Sequence, residues 1–144
     1  MATAADAALV AEWRYLSREE VFGEADGAEE VRAAETAISR GDMVLSQNEA
    51  PVSVAMESRP TSNMISVSFV YTPPVLRQRR YATACVAELS RLLIESGRRY
   101  CALFVNLANG SANRMPSRIG YRPVCDCDEY AFRDVALGLA GHYR

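Results

Sequence analysis

The stretch VYTPPVLRQRRYATACV, residues 70–86, decides how the chain is built. Ahead of it, Ile65, Val67, Phe69 and Tyr71 alternate with Ser66, Ser68, Val70 and Thr72, the period of two that marks a strand. Pro73 and Pro74 end that strand, because proline has no N–H to give to a ladder. From about residue 78 to residue 96 the period changes. Ala82, Cys85, Val86, Leu89, Leu92 and Leu93 fall on one helical face, and Gly97 suits the helix end. The stretch is a strand-to-helix junction in which Arg77, Arg79 and Arg80 are gathered. A helix N-terminus carries unpaired N–H groups and a partial positive charge, which suits phosphate. Cations there are unfavourable without a counter-anion. The junction reads either as a site for pyrophosphate or a nucleotide phosphate, or as a basic first turn that merely faces water.

On the N-terminal side, Leu9, Trp13 and Leu16 recur at helical spacing, with Thr3 and Asp6 as a capping start. A second helix is predicted over residues 28–40, with Val31, Ala34 and Ile38 on its apolar face and Gly41 just past its end. Residues 43–46 and 52–57 read as strands around a turn at Asn48. On the C-terminal side, residues 102–107 form an apolar run short enough for a buried strand. A short helix is predicted around residues 111–118, then strands at 120–124 and 129–132. Two helices, three strands, a helix, a strand, a helix and two strands give a mixed α/β (α+β) architecture, a central sheet flanked by helices. The 144 residues suit one domain. Its parts are leading helices (1–41), a sheet and binding core (42–134) and a tail (135–144).

Composition narrows the class. A hydrophobic fraction of 49% and a charged fraction of 24% suit a soluble globular protein. No apolar run approaches the roughly 20 residues of a membrane span, so no membrane partner is expected. The N-terminus has no basic segment ahead of an apolar one, so no secretory signal is read. Cys85 and Cys101 sit in apolar runs, as buried thiols do. Cys125 and Cys127 form C-x-C, but with His142 as the one histidine the ligands are too few for zinc, and no metal is expected. A reduced, cytoplasmic protein follows. The net charge of −2 divides unevenly: residues 1–58 balance at −8 and residues 59–144 at +6. All sixteen cations are arginine, which fits a compositional bias. The division suggests an anionic ligand on the second half and a cationic one near the first, or two solvated faces. Nucleic acid is not expected, since the basic cluster has no interleaved aromatic platform and the pI is about 5.5.

VYTPPVLRQRRYATACVAELSRLL and LFVNLANGSANRMPSRIGYRPVCDCDEYAF resemble the GNAT superfamily of acyl-CoA N-acyltransferases, over about residues 42–133. In that family a V-x-V-like strand end precedes Q/R-x-x-G-x-G/A at the opening of a helix. Val70, Tyr71 and Thr72 stand at the strand end, and Arg77 and Ala82 at the outer positions of the second motif. The family's asparagine after the next strand is matched by Asn109, and its K/R-x-G-F/Y ending by residues 118–121. Several matched blocks in order are far more specific than a lone glycine motif. Some relatives carry an additional N-terminal domain. With no clear first strand here, the resemblance admits a C-terminal catalytic half or a form that starts late.

The resemblance implies acetyl-CoA as cosubstrate, held in a cleft between the strand of residues 65–72 and that of residues 102–107. Val70 and Thr72 would pair with the pantetheine arm as an added strand would. Backbone N–H groups of Gln78, Arg79, Arg80, Tyr81, Ala82 and Thr83 would hold the pyrophosphate, and Asn109 would contact the cofactor. A primary amine, on a small molecule or a peptide, would attack the thioester directly. A base would take the ammonium proton, an acid would protonate the thiolate, and an N–H near a strand bulge would stabilise the oxyanion. A homodimer stays open.

Three positions depart from the family. Its central glycine falls at Arg80, and Gln78 stands where close relatives often have glycine. Four residues before Gly120, where many members place a tyrosine acid, this chain has Pro116, which has no proton to give and is expected to disturb the helix and Met115 ahead of it. Glu57 is a candidate base, against an exposed strand-end carboxylate. Tyr121 and Tyr130 offer hydroxyls, against rings packed on the sheet. Ser117 is a poor acid. The functional reading is an N-acetyltransferase; its alternative is a degenerate domain that binds CoA or a protein partner and catalyses little.

Overall fold

The computed structural model describes residues 1–106 and 114–128. After a 3-10 turn at Ala4–Asp6 come α1 (Ala7–Phe22) and α2 (Gly27–Arg40), then β1 (Met43–Asn48), β2 (Ala50–Ser58) and β3 (Met64–Tyr71). A 3-10 turn at Pro74–Leu76 leads to α3 (Tyr81–Glu95), β4 (Tyr100–Leu103) and α4 (Arg114–Arg118). The described strands form one mixed sheet in the order β1-β2-β3-β4. The first three are antiparallel; β3 and β4 are parallel, with α3 as the crossover that parallel pairing requires. Among the described residues, no helix is long and apolar enough to cross a membrane.

Local chemistry sets the helix ends. Asp6 Oδ2 accepts from Thr3 N at 2.7 Å and from Thr3 Oγ1 at 2.8 Å, the expected capping start. Asp26 Oδ1 takes the Ala28 and Glu29 N–H groups at 2.8 and 3.2 Å, which starts α2. Gly41, at φ 74°, ends it in the left-handed conformation that favours glycine.

The sheet is covered on both faces. α1 and α2 pack Val10, Trp13, Ala34 and Ala37 against Met43, Val54 and Tyr71. α3 packs Cys85, Val86, Leu89 and Leu93 against Val44, Ala55, Ile65 and Val67. Val31 and Leu16, expected inside, are 45% and 41% exposed: α2 buries the stripe Glu30, Ala34 and Ala37 instead, with a carboxylate in the first place.

The strand of residues 65–72 does not keep one apolar face. Met56 pairs with Phe69 and Glu57 with Val67, so Ser68 is an extra residue. A bulge reverses the alternation beyond it. Ile65 and Val67 face α3, whereas Phe69 and Tyr71 face α1 and α2, and Val70 takes up the α3 side.

The C-terminal part differs further from expectation. β4 ends at Leu103, and residues 104–106 are irregular. Residues 120–124 form no strand. Gly120, at φ 98°, accepts the turn that ends α4: Tyr121 N donates to Pro116 O at 3.1 Å and Gly120 N to Ser117 O at 3.4 Å. Tyr121 is then tethered, its hydroxyl 2.7 Å from Ser90 Oγ and 3.0 Å from Cys101 Sγ. Pro116 does not expel Met115 from helical geometry. Pro116 is the third residue of Arg114–Arg118, and the position four residues back, where its N–H would have found an acceptor, lies outside the described residues. The expected strand at residues 129–132 lies outside the described residues.

Candidate functional site

The sheet opens where the bulge lies. β3 and β4 pair from Met64↔Tyr100 to Val67↔Leu103, and there the pairing stops. β3 continues to Tyr71 without a β4 partner, so among the described residues, residues 68–71 form an unpaired edge open to an extended ligand. The edge leads directly into the junction.

The junction holds two residues in an unusual backbone state. Gln78 and Arg80 both sit at φ 65°, in the left-handed region. They are the two positions at which the sequence resemblance calls for glycine. Both hold a left-handed backbone path with side chains that disfavour it, at a strain of roughly 1 kcal/mol for each residue. That path turns the chain into α3, with Arg80 as its N-cap. The first helical bond into this cap runs from Ala84 N to Arg80 O, so Tyr81, Ala82 and Thr83 lie in the turn whose N–H groups lack helical acceptors. Arg79 and Arg80 are exposed and in no ion pair among the described residues. Tyr81 hydroxyl accepts from Asn48 Nδ2 at 3.1 Å, which braces the β1–β2 turn against α3.

The other junction residues have protein partners. Arg77 donates through Nε to Thr72 O at 3.0 Å and grips Glu20 of α1 with both terminal nitrogens, at 2.8 and 2.6 Å. Hydrogen bonding to Arg77 lowers the pKa of Glu20. The Arg77 guanidinium also lies 5.8 Å from the ring centre of Tyr71. Tyr71 itself belongs to the core, 5.9 Å from Trp13, and burial raises its pKa. Thr72 is tied to Ser53 through their hydroxyls at 2.9 Å. Val70 packs on the α3 side.

Glu57 sits opposite Val67, one strand from the bulge, at a cleft of about 600 Å³ lined also by Asp42, Arg32, Arg40 and Arg59. Burial, then the charge of Asp42, raises its pKa against the pull of Arg98. A carboxylate shifted upward is better matched to a base working near neutrality. Tyr121 has its pKa raised, first by burial, and it is committed to Ser90 and Cys101. Ser117 Oγ bonds back to Arg114 O at 3.2 Å. Asn109 and Tyr130 lie outside the described residues. Cys85 is buried, its thiol pushed up to about 11. Cys125 and Cys127 are exposed, their sulfurs 3.7 Å apart. No group of three or more metal-ligating side chains occurs among the described residues.

A second cavity, of about 320 Å³, opens between α1, α2 and the bulge, with Ser68 and Phe69 in its wall. Glu30 lines it at 1% exposure. Its Oε2 accepts from Arg14 Nε at 2.7 Å, and its Oε1 lies 3.1 Å from Arg18 Nε. These residues were not legible as a site. The signal available was a charge on each apolar stripe: Arg14 and Arg18 four apart on α1, and Glu30 in register with Ala34 and Ala37 on α2.

No family model and no curated protein matches the chain. Solved structures do. The aminoglycoside N-acetyltransferase AAC(6')-Iy in complex with CoA superposes with a TM-score of 0.74 at 13% identity, over 92% of this chain and 91% of that one. A possible acetyltransferase from Clostridium difficile 630 gives 0.74 at 14% identity, over 94% and 95%. A predicted acetyltransferase with acetyl-CoA from Clostridium acetobutylicum gives 0.66 at 16% identity, over 90% and 92%. At such identities the likeness is one of backbone path. With its sheet opened beyond Val67 and Leu103 and its left-handed entry into α3, the chain has the fold of the GNAT-type acetyltransferases.

Proposed function

We propose that the chain transfers an acetyl group from acetyl-CoA to a primary amine. The observation that carries this reading is the alignment of a free strand edge, residues 68–71, with a helix entry held open by Gln78 and Arg80. The pantetheine arm adds along the edge, pairing with Val70 and Thr72. The pyrophosphate lies on the N–H groups of the 78–83 turn, with Arg79 and Arg80 free to reach it. Arg77 acts at one remove: its bonds to Thr72 and Glu20 hold the turn in place. The thioester then sits at the bulge, where an N–H beside Ser68 meets the developing oxyanion. The amine comes from the cavity between α1 and α2, Glu57 serves as base, and Asn109 touches the cofactor. Tetrahedral collapse expels the thiolate. Pro116 has no proton to supply, so water protonates it. That favours slow turnover.

Calorimetric titration with acetyl-CoA and dephospho-CoA tests the reading. Acetyl-CoA should bind, and should stabilise the fold by ~2.7 kcal/mol at one hundred times its Kd; dephospho-CoA should bind more weakly. Absence of binding at millimolar acetyl-CoA would remove the cofactor. Binding without thiol release to any amine would favour the alternative, a CoA-binding domain that has lost its chemistry.

A further inference from the structure

We infer that the amine accepted by this chain also carries a carboxylate, held in the cavity beside Ser68 by Arg14 and Arg18. The inference rests on the acyl-transfer reading for what happens to that amine, but not for its recognition. Two guanidinium groups converge on one carboxylate, Glu30, which leaves the cavity one positive charge in excess. Both arginines meet Glu30 through Nε. Their terminal nitrogens make no hydrogen bond to a carboxylate among the described residues; Arg14 Nη1 donates to the sulfur of Met56 at 3.9 Å. A guanidinium anchored through Nε still presents a planar pair of donors, the geometry that grips a carboxylate with two parallel bonds.

The two guanidinium groups are also held in place before any ligand arrives. Arg14 lies 5.3 Å from the ring centre of Phe69, and Arg18 lies 5.3 Å from that of Phe22. Val21 and Phe22, each 66% exposed, line the cavity and offer an apolar wall to the body of a ligand. The volume, about 320 Å³, suits a molecule of amino-acid size. Position completes the case. Ser68 and Phe69 line the cavity and follow directly on Val67, the last β3 residue paired to β4. A ligand anchored by its carboxylate on the arginines has its amine near the open edge. A polycation of the aminoglycoside type would meet excess positive charge in the same place.

The test is equilibrium binding to the full chain without acetyl-CoA. Phenylalanine, leucine and 4-aminobutyrate are titrated by calorimetry against their carboxamides, with neamine as the polycation. At least one acid should bind ten times or more as tightly as its amide, and neamine should not compete with it. Arg18→Ala, which leaves Glu30 paired to Arg14, should bring that ratio close to one, while Arg18→Lys should keep part of it. Acids that bind no better than amides, the failure of every acid to bind, or an unchanged ratio in folded Arg18→Ala would each overturn the inference. The wild-type ratio decides alone if Arg18→Ala does not fold. Acetyl-CoA is then added. An acid that binds but releases no thiol would defeat acyl transfer and leave the carboxylate site standing. Thiol release with amides or neamine in preference to acids would defeat the carboxylate site and leave acyl transfer standing.

Discussion

The two faces of the sheet are closed by different chemistry. On the α3 face, Cys85, Val86, Leu89 and Leu93 meet Val44, Ala55, Ile65 and Val67, an interface of apolar side chains with no charged group in it. On the α1 and α2 face, a similar apolar core surrounds Glu30, the one fully buried charged side chain among the described residues, and a cavity opens beside it. The first face can only be packed. The second keeps polar capacity that packing would have removed. Desolvating Glu30 is costly unless its partners stay in place, so this face depends on pairing and the other on volume.

The largest effect should come from removing the pairing. Glu30→Ala leaves two arginines facing each other across a partly buried space, and should cost about 3–5 kcal/mol in a urea titration. Leu89→Ala on the opposite face should cost about 2–4 kcal/mol through a cavity. Salt separates them: raising ionic strength should narrow the Glu30→Ala deficit, because the exposed part of the arginine repulsion is screened, and leave the Leu89→Ala deficit unchanged. Equal salt dependence would erase the distinction between the faces.

A smaller effect belongs to the entry of α3 onto its dry face. Gln78→Gly and Arg80→Gly should each relieve left-handed strain, offset in part by the greater freedom of glycine in the unfolded chain. A net gain of up to about 0.5 kcal/mol per substitution, seen as a rise of a degree or two in Tm, is expected. Loss of stability in both would show that the side chains, rather than the backbone, hold the turn.

The smallest effect concerns Glu57. Its folded pKa lies above the reference of 4.5, so the fold favours the protonated carboxyl. Any stabilisation it gives is present below pH 4.5 and is lost as pH rises through the folded value. Glu57→Gln should therefore be more stable than wild type at pH 7, by a few tenths of a kcal/mol after solvent screening, with the gap closing below pH 4.5. A constant gap from pH 4 to pH 8 would show that the Glu57 ionisation is not coupled to folding.

Much of the framework was legible because it rests on local periodicity. α2 ends at Gly41 as expected, and the helix of residues 78–96 forms as Tyr81–Glu95 with Cys85, Val86, Leu89 and Leu93 inside. The glycine-like backbone at Gln78 and Arg80 was not legible, since their side chains argue against it. The bulge at Ser68 was hidden by an alternation that continued through it: Ile65, Val67, Phe69 and Tyr71 read as one face, and pairing with β2 assigns them to two. The partner of Arg77 was not legible for a similar reason. Its counter-charge is Glu20, 57 residues earlier, which proximity in sequence could not suggest.

By itself, the sequence determined the succession of helices and strands from α1 to α4, the proline stop after β3 and the concentration of arginine at the start of α3. These follow from turns, caps and periods that act over a few residues. Only the tertiary structure decided where β3 and β4 part, which face Phe69 and Tyr71 occupy, that Arg77 is held by α1, and that Arg14 and Arg18 converge on Glu30 beside the bulge. Each of these is a meeting of residues from elements far apart in the chain. A charge on an apolar stripe acquires its meaning only from the charge that the opposing helix brings to it.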